Sequence, residues 1–437
     1  MDKNIFIVGL DEPNRARLEA LPTAQPCHFH RLFTYEQVQG PASLPLMHLL
    51  HEASEQLAAF PGTVDAVAGY WDFPVSDMIP ILANRFALPS ASLASVLRCE
   101  HKYWSRLEQG RAVPDHVPAF AAVDPEDNPR RTWRQLEGRL GVPFWLKPIK
   151  SFQSYLGFRI TSYHEFEAAL ELMRERLPMF ASPFDQLLAR AGVPRDVAGI
   201  GGGHCIAEQL IGGWQVTVEG HVAHGEVKTH GIVDSIRHPN NVSFARYQYP
   251  SRLPSHVQTR MSRIVERVVR RIGLNQTAFN VELYYDEETG HIMILEINPR
   301  ISQSHSDIFQ KVDGVSNHLV MLELALGRTP HMPHRQGPFN IAAKCYLRRF
   351  EDGIVQRVPQ PATIRALQRE IPGLQVEMKV EPGCQLSTLF GQDSYSFVLA
   401  ELYLGADSEA ELLERYQQCE AALDFSFAPA QEEERAA

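Results

Sequence analysis

Three observations in the sequence predict an α/β protein built from more than one domain. At 437 residues the chain is too long for one simple core and suggests two to four domains. Its first segment, to about residue 95, alternates buried-strand and helix patterns, as small parallel α/β domains do. Residues 279–300 then read as two strands joined by a tight turn.

Taken in order, Ile5–Val8 predicts a buried first strand, followed by Gly9 and helical spacing. Gly9 lacks the rest of a GxGxxG pattern, so it reads as scaffold rather than as a dinucleotide loop. Val64–Gly69 predicts a second buried strand and Ser76–Phe86 a helix. Residues 96–142 read as helix and loop, and 142–150 as a strand entering the loop 151–157. Phe158–Ile160 resumes as a strand, and His164–Arg176 has helical spacing through Phe166, Ala169, Leu170 and Met173. The segment 178–204 is rich in Pro and Gly and reads as mobile. Its glycine run, 199–203, precedes a strand rather than a helix, which excludes a Rossmann loop and favours a flexible lid. Cys205–Leu210 predicts a strand, Gly212-Gly213 a bend and Trp214–Glu219 another strand. A helix is expected over Ser255–Ile272, its arginines forming a solvated face. Beyond about residue 340 the pattern is short strands and one late helix, Ser408–Leu423, before an acidic tail. There is no internal repeat.

Composition narrows the function classes. Apolar content of 44% and charged content of 22% are those of an ordinary globular protein. A formal charge of −10 argues against nucleic acid as a partner, although a local basic groove could still hold phosphates. The six cysteines are scattered without a CxxC pair, as reduced thiols are, rather than spaced for zinc or disulfides. The N-terminal apolar run is too short for a signal, and no later run has spanning length. No membrane association and a cytoplasmic location are expected.

The hairpin carries the strongest chemistry. Glu296 and Asn298 are two apart on one strand and share a face, and a turn near Asp286–Gly290 brings Glu282 alongside. Two carboxylates and an amide oxygen make a hard-oxygen set suited to Mg2+, and Arg300 adds a cation on the same side. Lys147 ends a strand before a loop whose Ser151, Ser154 and backbone amides to Gly157 could wrap phosphates. An exposed strand-end lysine with an ordinary turn would read the same. Glu208–Ile211 before Gly212-Gly213 could be a hinge whose backbone binds an adenine edge, or simply an edge strand with a turn. His221, His224 and His230 cluster, as do His28 and His30, without HExxH spacing, so surface or substrate-pocket roles outweigh metal binding.

Together and in this order, these pieces resemble the ATP-grasp superfamily, Glu296-Ile-Asn298-Pro-Arg300 being the most specific part. The resemblance implies a pre-ATP-grasp α/β domain over 1–97, a two-lobed ATP-grasp domain over 98–330 with a lid at about 145–212, and a β-rich C-terminal subdomain over 331–437 ending in the acidic tail. By the same resemblance Lys102 and Lys147 bind nucleotide phosphates, and the backbone at Glu208 and Ile211 holds adenine. Glu282, Glu296 and Asn298 hold Mg2+ or Mn2+, and Arg300 stabilises the transferred phosphate and the oxyanion that follows. Gln215 stands where the family usually has a ribose-binding carboxylate, a departure at that contact.

The implied reaction activates a carboxylate with ATP as an acyl phosphate, which an amine then converts to an amide, with ADP and phosphate released. Metal and lysine charges must screen both anions before attack. The acceptor side is read from His230, Arg237, Arg246 and Arg252, with Ser304 and His305 opposite, arginines near an acyl site suiting an amino-acid carboxylate. Val242–Pro254, with Tyr247 and Tyr249, is a candidate wall. Small-molecule carboxylate and amine substrates are the expected partners, and a homodimer follows by analogy alone. Two alternatives stand beside the ligase. One is a biotin carboxylase-like enzyme, which shares the spacing of His305 but would carry a glutamate where Ser304 stands. The other is a nucleotide-binding regulatory protein without catalysis.

Overall fold

The computed structural model describes residues 2–39, 45–150, 156–240, 242–389, 392 and 395–430. Ser151, Ser154 and the acidic tail lie outside the described residues. The chain divides into two compact units, the first comprising Met1–His230, Leu253–Ser302 and His318–His331.

The first unit opens with a parallel sheet in the order Cys27–Leu32, Lys3–Val8, Ala66–Ala68. Its central strand is apolar on both faces, with Ile5, Ile7 and Val8 fully buried, as parallel strands covered by helices require. Helix Leu46–Ala59 buries Leu46, Leu49, Leu50, Ala53 and Leu57, a three-and-four spacing that lays one stripe on Phe6, Val8 and Val67. The loop after the third strand is tied down by the Trp71 indole, which donates to the Gly9 carbonyl at 2.8 Å. Gly9 thus has a scaffold role, its φ of 75° letting the chain turn beneath that indole.

An antiparallel sheet follows, ordered Phe120–Val123, Cys205–Gln209, Phe144–Pro148, Phe158–Ile160. Helices Pro129–Leu140 and Tyr163–Arg176 cover it through Leu136, Leu140, Phe166, Leu170 and Met173. Strand Phe120–Val123 lies inside a stretch read as helix and loop. A second antiparallel sheet runs Ile292–Asn298, Thr277–Tyr285, Trp214–Ala223, Glu226–Arg237, and the last strand begins in this unit. Helix Ser255–Ile272 spans the expected residues, burying Val257, Met261, Ile264, Val265, Val268, Val269 and Ile272. Its arginines are not simply solvated, since Arg267 donates to the Ala112 carbonyl at 2.6 Å and Arg271 to Glu108 at 2.7 Å.

The stretch 178–204 departs from expectation. Pro178–Ala191 is a helix with Phe184, Leu187 and Leu188 buried, not a mobile loop. Pro178 occupies the first turn, where a missing N–H costs nothing.

The second unit comprises Gly231–Arg252, Gln303–Asn317 and Met332–Ala437. Strands Phe244–Tyr249, Ile341–Arg349, Phe397–Ala406 and Gln375–Met378 pair antiparallel in that order. Among the described residues beyond 340 there are two α-helices where one was expected, Pro361–Glu370 and Glu409–Ala422. Leu367, Ile371, Leu412 and Cys419 pack with Cys345, Leu347 and Leu402 of the sheet.

Candidate active site

Strand alternation builds the site within the first unit. In Thr277–Tyr285, Phe279, Val281 and Leu283 are fully buried, while Asn280, Glu282 and Tyr284 take the other face. The partner strand Ile292–Asn298 is held in register by a turn in which Gly290 N–H donates to the Asp286 carbonyl at 2.8 Å. Gly290 has a φ of 70°, which glycine adopts freely. Glu282 stands directly opposite Glu296, and Asn280 opposite Asn298. Asn298 Nδ2 donates to Asn280 Oδ1 at 3.0 Å, and Asn280 Nδ2 to the Arg300 carbonyl at 2.9 Å. These two bonds fix the orientation of both asparagine amides.

That set fits a divalent ion. Two facing carboxylates repel unless a cation sits between them, and all ligand atoms are hard oxygens suited to Mg2+ or Mn2+. Among the described residues no group of three or more His, Cys, Asp or Glu forms a metal cluster of another kind. Gln215, read as the ribose contact, has its amide committed here. Its Nε2 donates to Glu282 at 2.9 Å, and its Oε1 accepts from Tyr284 at 3.0 Å. Gly213, with a φ of 111°, lets the chain reach this strand, since a Cβ there would lie 2.3 Å from the Tyr285 carbonyl oxygen.

Lys102 and Arg300 both feel the charge of Glu296, and a further group of charges lies on the neighbouring sheet. Lys147, on strand Phe144–Pro148, pairs with Glu208 on the neighbouring strand at 2.6 Å. Arg106, buried on helix Lys102–Ala112, holds the other oxygen of Glu208 at 2.5 Å. The same guanidinium donates to the Ile294 and Leu295 carbonyls at 2.8 and 2.9 Å, tying that helix to the hairpin. Burial alone would push the Glu208 carboxyl up, but Arg106 and Lys147 outweigh it and hold it down to about 2. The Glu208 backbone lies inside the sheet, in register with Phe120 and Trp145, whereas Ile211 lies just past the strand end, half-buried. Gly157 leads into strand Phe158–Ile160.

Lys102 begins its helix, its N–H bonded to the Ile149 carbonyl at 3.2 Å and the preceding His101 capping Trp104 N–H at 3.1 Å. Burial lowers the Lys102 pKa, the Glu296 carboxylate opposes that, and Lys150 and Lys147 reinforce it, so these groups share one field.

Three further residues complete the cluster and escaped sequence reasoning. Asp72, on the loop after the parallel sheet, accepts from Arg300 at 3.2 Å and from Lys150 at 3.4 Å. Lys150, nearly fully buried, also pairs with Glu100. Burial would raise the Asp72 pKa, but Lys150 and Arg300 drive it well below the usual carboxylate range. Glu100 shifts the other way, raised chiefly by burial. The Arg300 Nε is buried without a hydrogen-bond partner among the described residues, a donor suited to an incoming anion.

The expected substrate residues divide. His230 belongs to this unit, with Nε2 3.8 Å from Glu219. Arg237, Arg246, Arg252, Ser304 and His305 belong to the second unit. There Arg246 and Arg252 both bind Glu409 at 2.9 Å, Arg237 stacks 4.1 Å from the Phe244 ring centre, Ser304 accepts from Lys344 at 3.4 Å, and His305 meets the Tyr247 ring at 5.2 Å. The arginine charges at 246 and 252 are thus already compensated within the fold.

Residues 140–307 match the ATP-grasp domain model. The L-amino acid ligase of Bacillus licheniformis superposes with a TM-score of 0.73 at 17% identity, covering 98% of this chain and 99% of that one. The biotin carboxylase domain of the 2-oxoglutarate carboxylase of Hydrogenobacter thermophilus, in complex with MgADP, ADP and bicarbonate, gives 0.63 at 14% identity, with 97% and 91% covered. Phosphoribosylglycinamide synthetase of Anaerococcus prevotii gives 0.61 at 11% identity, with 98% and 100% covered. No curated protein sequence matches the chain. Among the described residues no helix is long and apolar enough to cross a membrane. With a parallel N-terminal sheet and antiparallel central sheets, the chain has the α/β ATP-grasp fold, and its residues 140–307 match the ATP-grasp domain.

Proposed function

We propose that the protein is an ATP-dependent carboxylate–amine ligase that forms an amide through an acyl phosphate. The observation that carries this reading is Glu282 opposite Glu296, with Asn298 alongside and Lys102, Lys147 and Arg300 in the same unit. A bound divalent ion would supply charge neutralisation between nucleotide phosphates and the acid. Lys147 and Lys102 bind phosphate oxygens, Arg300 steadies the group in transfer, and Asp72 holds Arg300 in place. Full-length likeness of fold to an L-amino acid ligase favours amino acids as acid and acceptor.

The test is to incubate the protein with ATP, Mg2+ and pairs of L-amino acids, following phosphate release and product mass. Phosphate release that needs two amino acids, with a product lighter by one water than their sum, is the expected result. Turnover stimulated by bicarbonate and biotin but by no amine would replace the reading with a carboxylase, and ATP binding without turnover would replace it with a regulatory protein.

Lys147→Ala should weaken ATP binding about 10- to 100-fold, the loss of one or two charge-assisted contacts. Unchanged affinity in titration calorimetry would remove Lys147 from the phosphate site.

A further inference from the structure

The polar face of the hairpin sheet continues past the candidate metal ligands. On strand Trp214–Ala223, Thr217 is in register with Glu282, Glu219 with Asn280, and His221 with Ala278. Glu219 therefore lies in the row that contains Asn298, one row from Glu282 and Glu296, a spacing of about 7 Å along the strands. The other face of the same strand carries Val216, Val218 and Val222, all buried and apolar. Beside Glu219 stands His230, at 3.8 Å, and the His221 and His230 rings stack with centres 6.0 Å apart. Glu219 is fully buried and His221 is 3% exposed.

Both ring nitrogens of His221 are buried without a hydrogen-bond partner among the described residues. Leaving such a group unmatched is costly, so the arrangement calls for a polar guest. Burial, reinforced by His230, holds the His221 imidazole down to about 4, so it is neutral near pH 7 and can accept a hydrogen bond. His318, whose ring meets Tyr70 at 5.4 Å, is held neutral by burial as well. A buried carboxylate beside the neutral His221 attracts a cation that can give up a proton, which describes an ammonium group.

We infer that Glu219, His221 and His230 form the subsite for the acceptor amine, with Glu219 attracting the ammonium, His221 accepting one of its N–H bonds and His230 taking its proton. This assignment rests on the ligase reading. In the step, the ammonium gives one proton to His230 and its nitrogen attacks the acyl carbon. The carbon–oxygen bond to phosphate breaks, and a second nitrogen proton leaves with the phosphate. Amide, monohydrogen phosphate and imidazolium result, with charge and protons conserved, and the carboxylate of Glu219 stabilises that imidazolium.

Hydroxylamine separates this role from a structural one, because it is largely unprotonated at neutral pH and needs no base to become nucleophilic. The acid is the amino acid that gives the fastest amide product in the panel, tested once with its amino-acid acceptor and once with hydroxylamine. Glu219→Gln and His230→Gln should lower amide formation about 100-fold or more, while hydroxamate formation stays within about threefold and KM for ATP is unchanged. Parallel loss of both products, or loss of neither, overturns the subsite. His221→Asn should raise KM for the amine acceptor about tenfold without moving KM for ATP, and an unmoved acceptor KM also overturns it. A wild-type protein that makes no hydroxamate from any acid in the panel overturns the ligase reading itself, a result distinct from failure in the variants alone.

Discussion

Glu296→Ala is expected to lower ATP turnover on the order of a thousandfold or more without weakening the fold. Glu296 faces Glu282 across the hairpin, and that opposition is unfavourable in the free protein because like charges repel. Removing one carboxylate relieves the repulsion, so the thermal midpoint of the free variant should equal or slightly exceed that of the wild type. The two proteins should then diverge when a divalent ion is added. Mg2+ bound only by the folded site raises the wild-type midpoint by mass action, and a variant lacking one of two carboxylates gains little. ADP formation under saturating ATP, Mg2+ and substrates reads the first expectation, and scanning calorimetry with and without Mg2+ reads the second. Wild-type ADP formation by the variant would remove Glu296 from the metal set.

The hairpin was legible in the sequence because its information is local. Period-two alternation, an Asp-to-Gly turn and Glu-x-Asn spacing all lie within about twenty residues, and the structure sets Glu282 opposite Glu296 as that spacing requires. Helix Ser255–Ile272 was legible for the same reason, its apolar stripe ending at Gly273. The helix over Pro178–Ala191 was not. Pro178 and Pro183 read as breakers, yet the first sits in the opening turn and Phe184, Leu187 and Leu188 secure the rest by burial. The cluster of Asp72, Glu100, Lys150 and Arg300 was hidden for a different reason. Asp72 meets Lys150 across 78 positions and Arg300 across 228, and no local pattern marks such a pairing. Arg106 and Glu208, 102 positions apart, escaped in the same way. The strand residue Glu208 was read only through its backbone, whereas the fold gives its side chain the Arg106 and Lys147 charges.

That buried triad gives the second large effect. Glu208→Gln leaves the Arg106 guanidinium and the Lys147 ammonium in the interior without their shared carboxylate, and breaking a buried pair in this way costs about 3–5 kcal/mol. The loss should depend on pH in a defined direction. The Glu208 carboxyl titrates at about 2 in the fold and near 4.5 in the open chain. A depressed folded value stabilises the protein above the unfolded value, and the stabilisation disappears as pH falls from about 4.5 towards 2. Its full size is about 3 kcal/mol, of which about 2 kcal/mol is already gone at pH 3. Glutamine does not titrate, so the variant lacks this component of acid sensitivity. The difference in unfolding free energy between wild type and variant, from denaturant titrations, should therefore shrink by about 2 kcal/mol between pH 7 and pH 3. Taking the difference cancels the other carboxylates, including Asp72, that titrate in both proteins over the same interval. A gap that stays constant between the two pH values would mean that Arg106 and Lys147 do not hold Glu208 ionised.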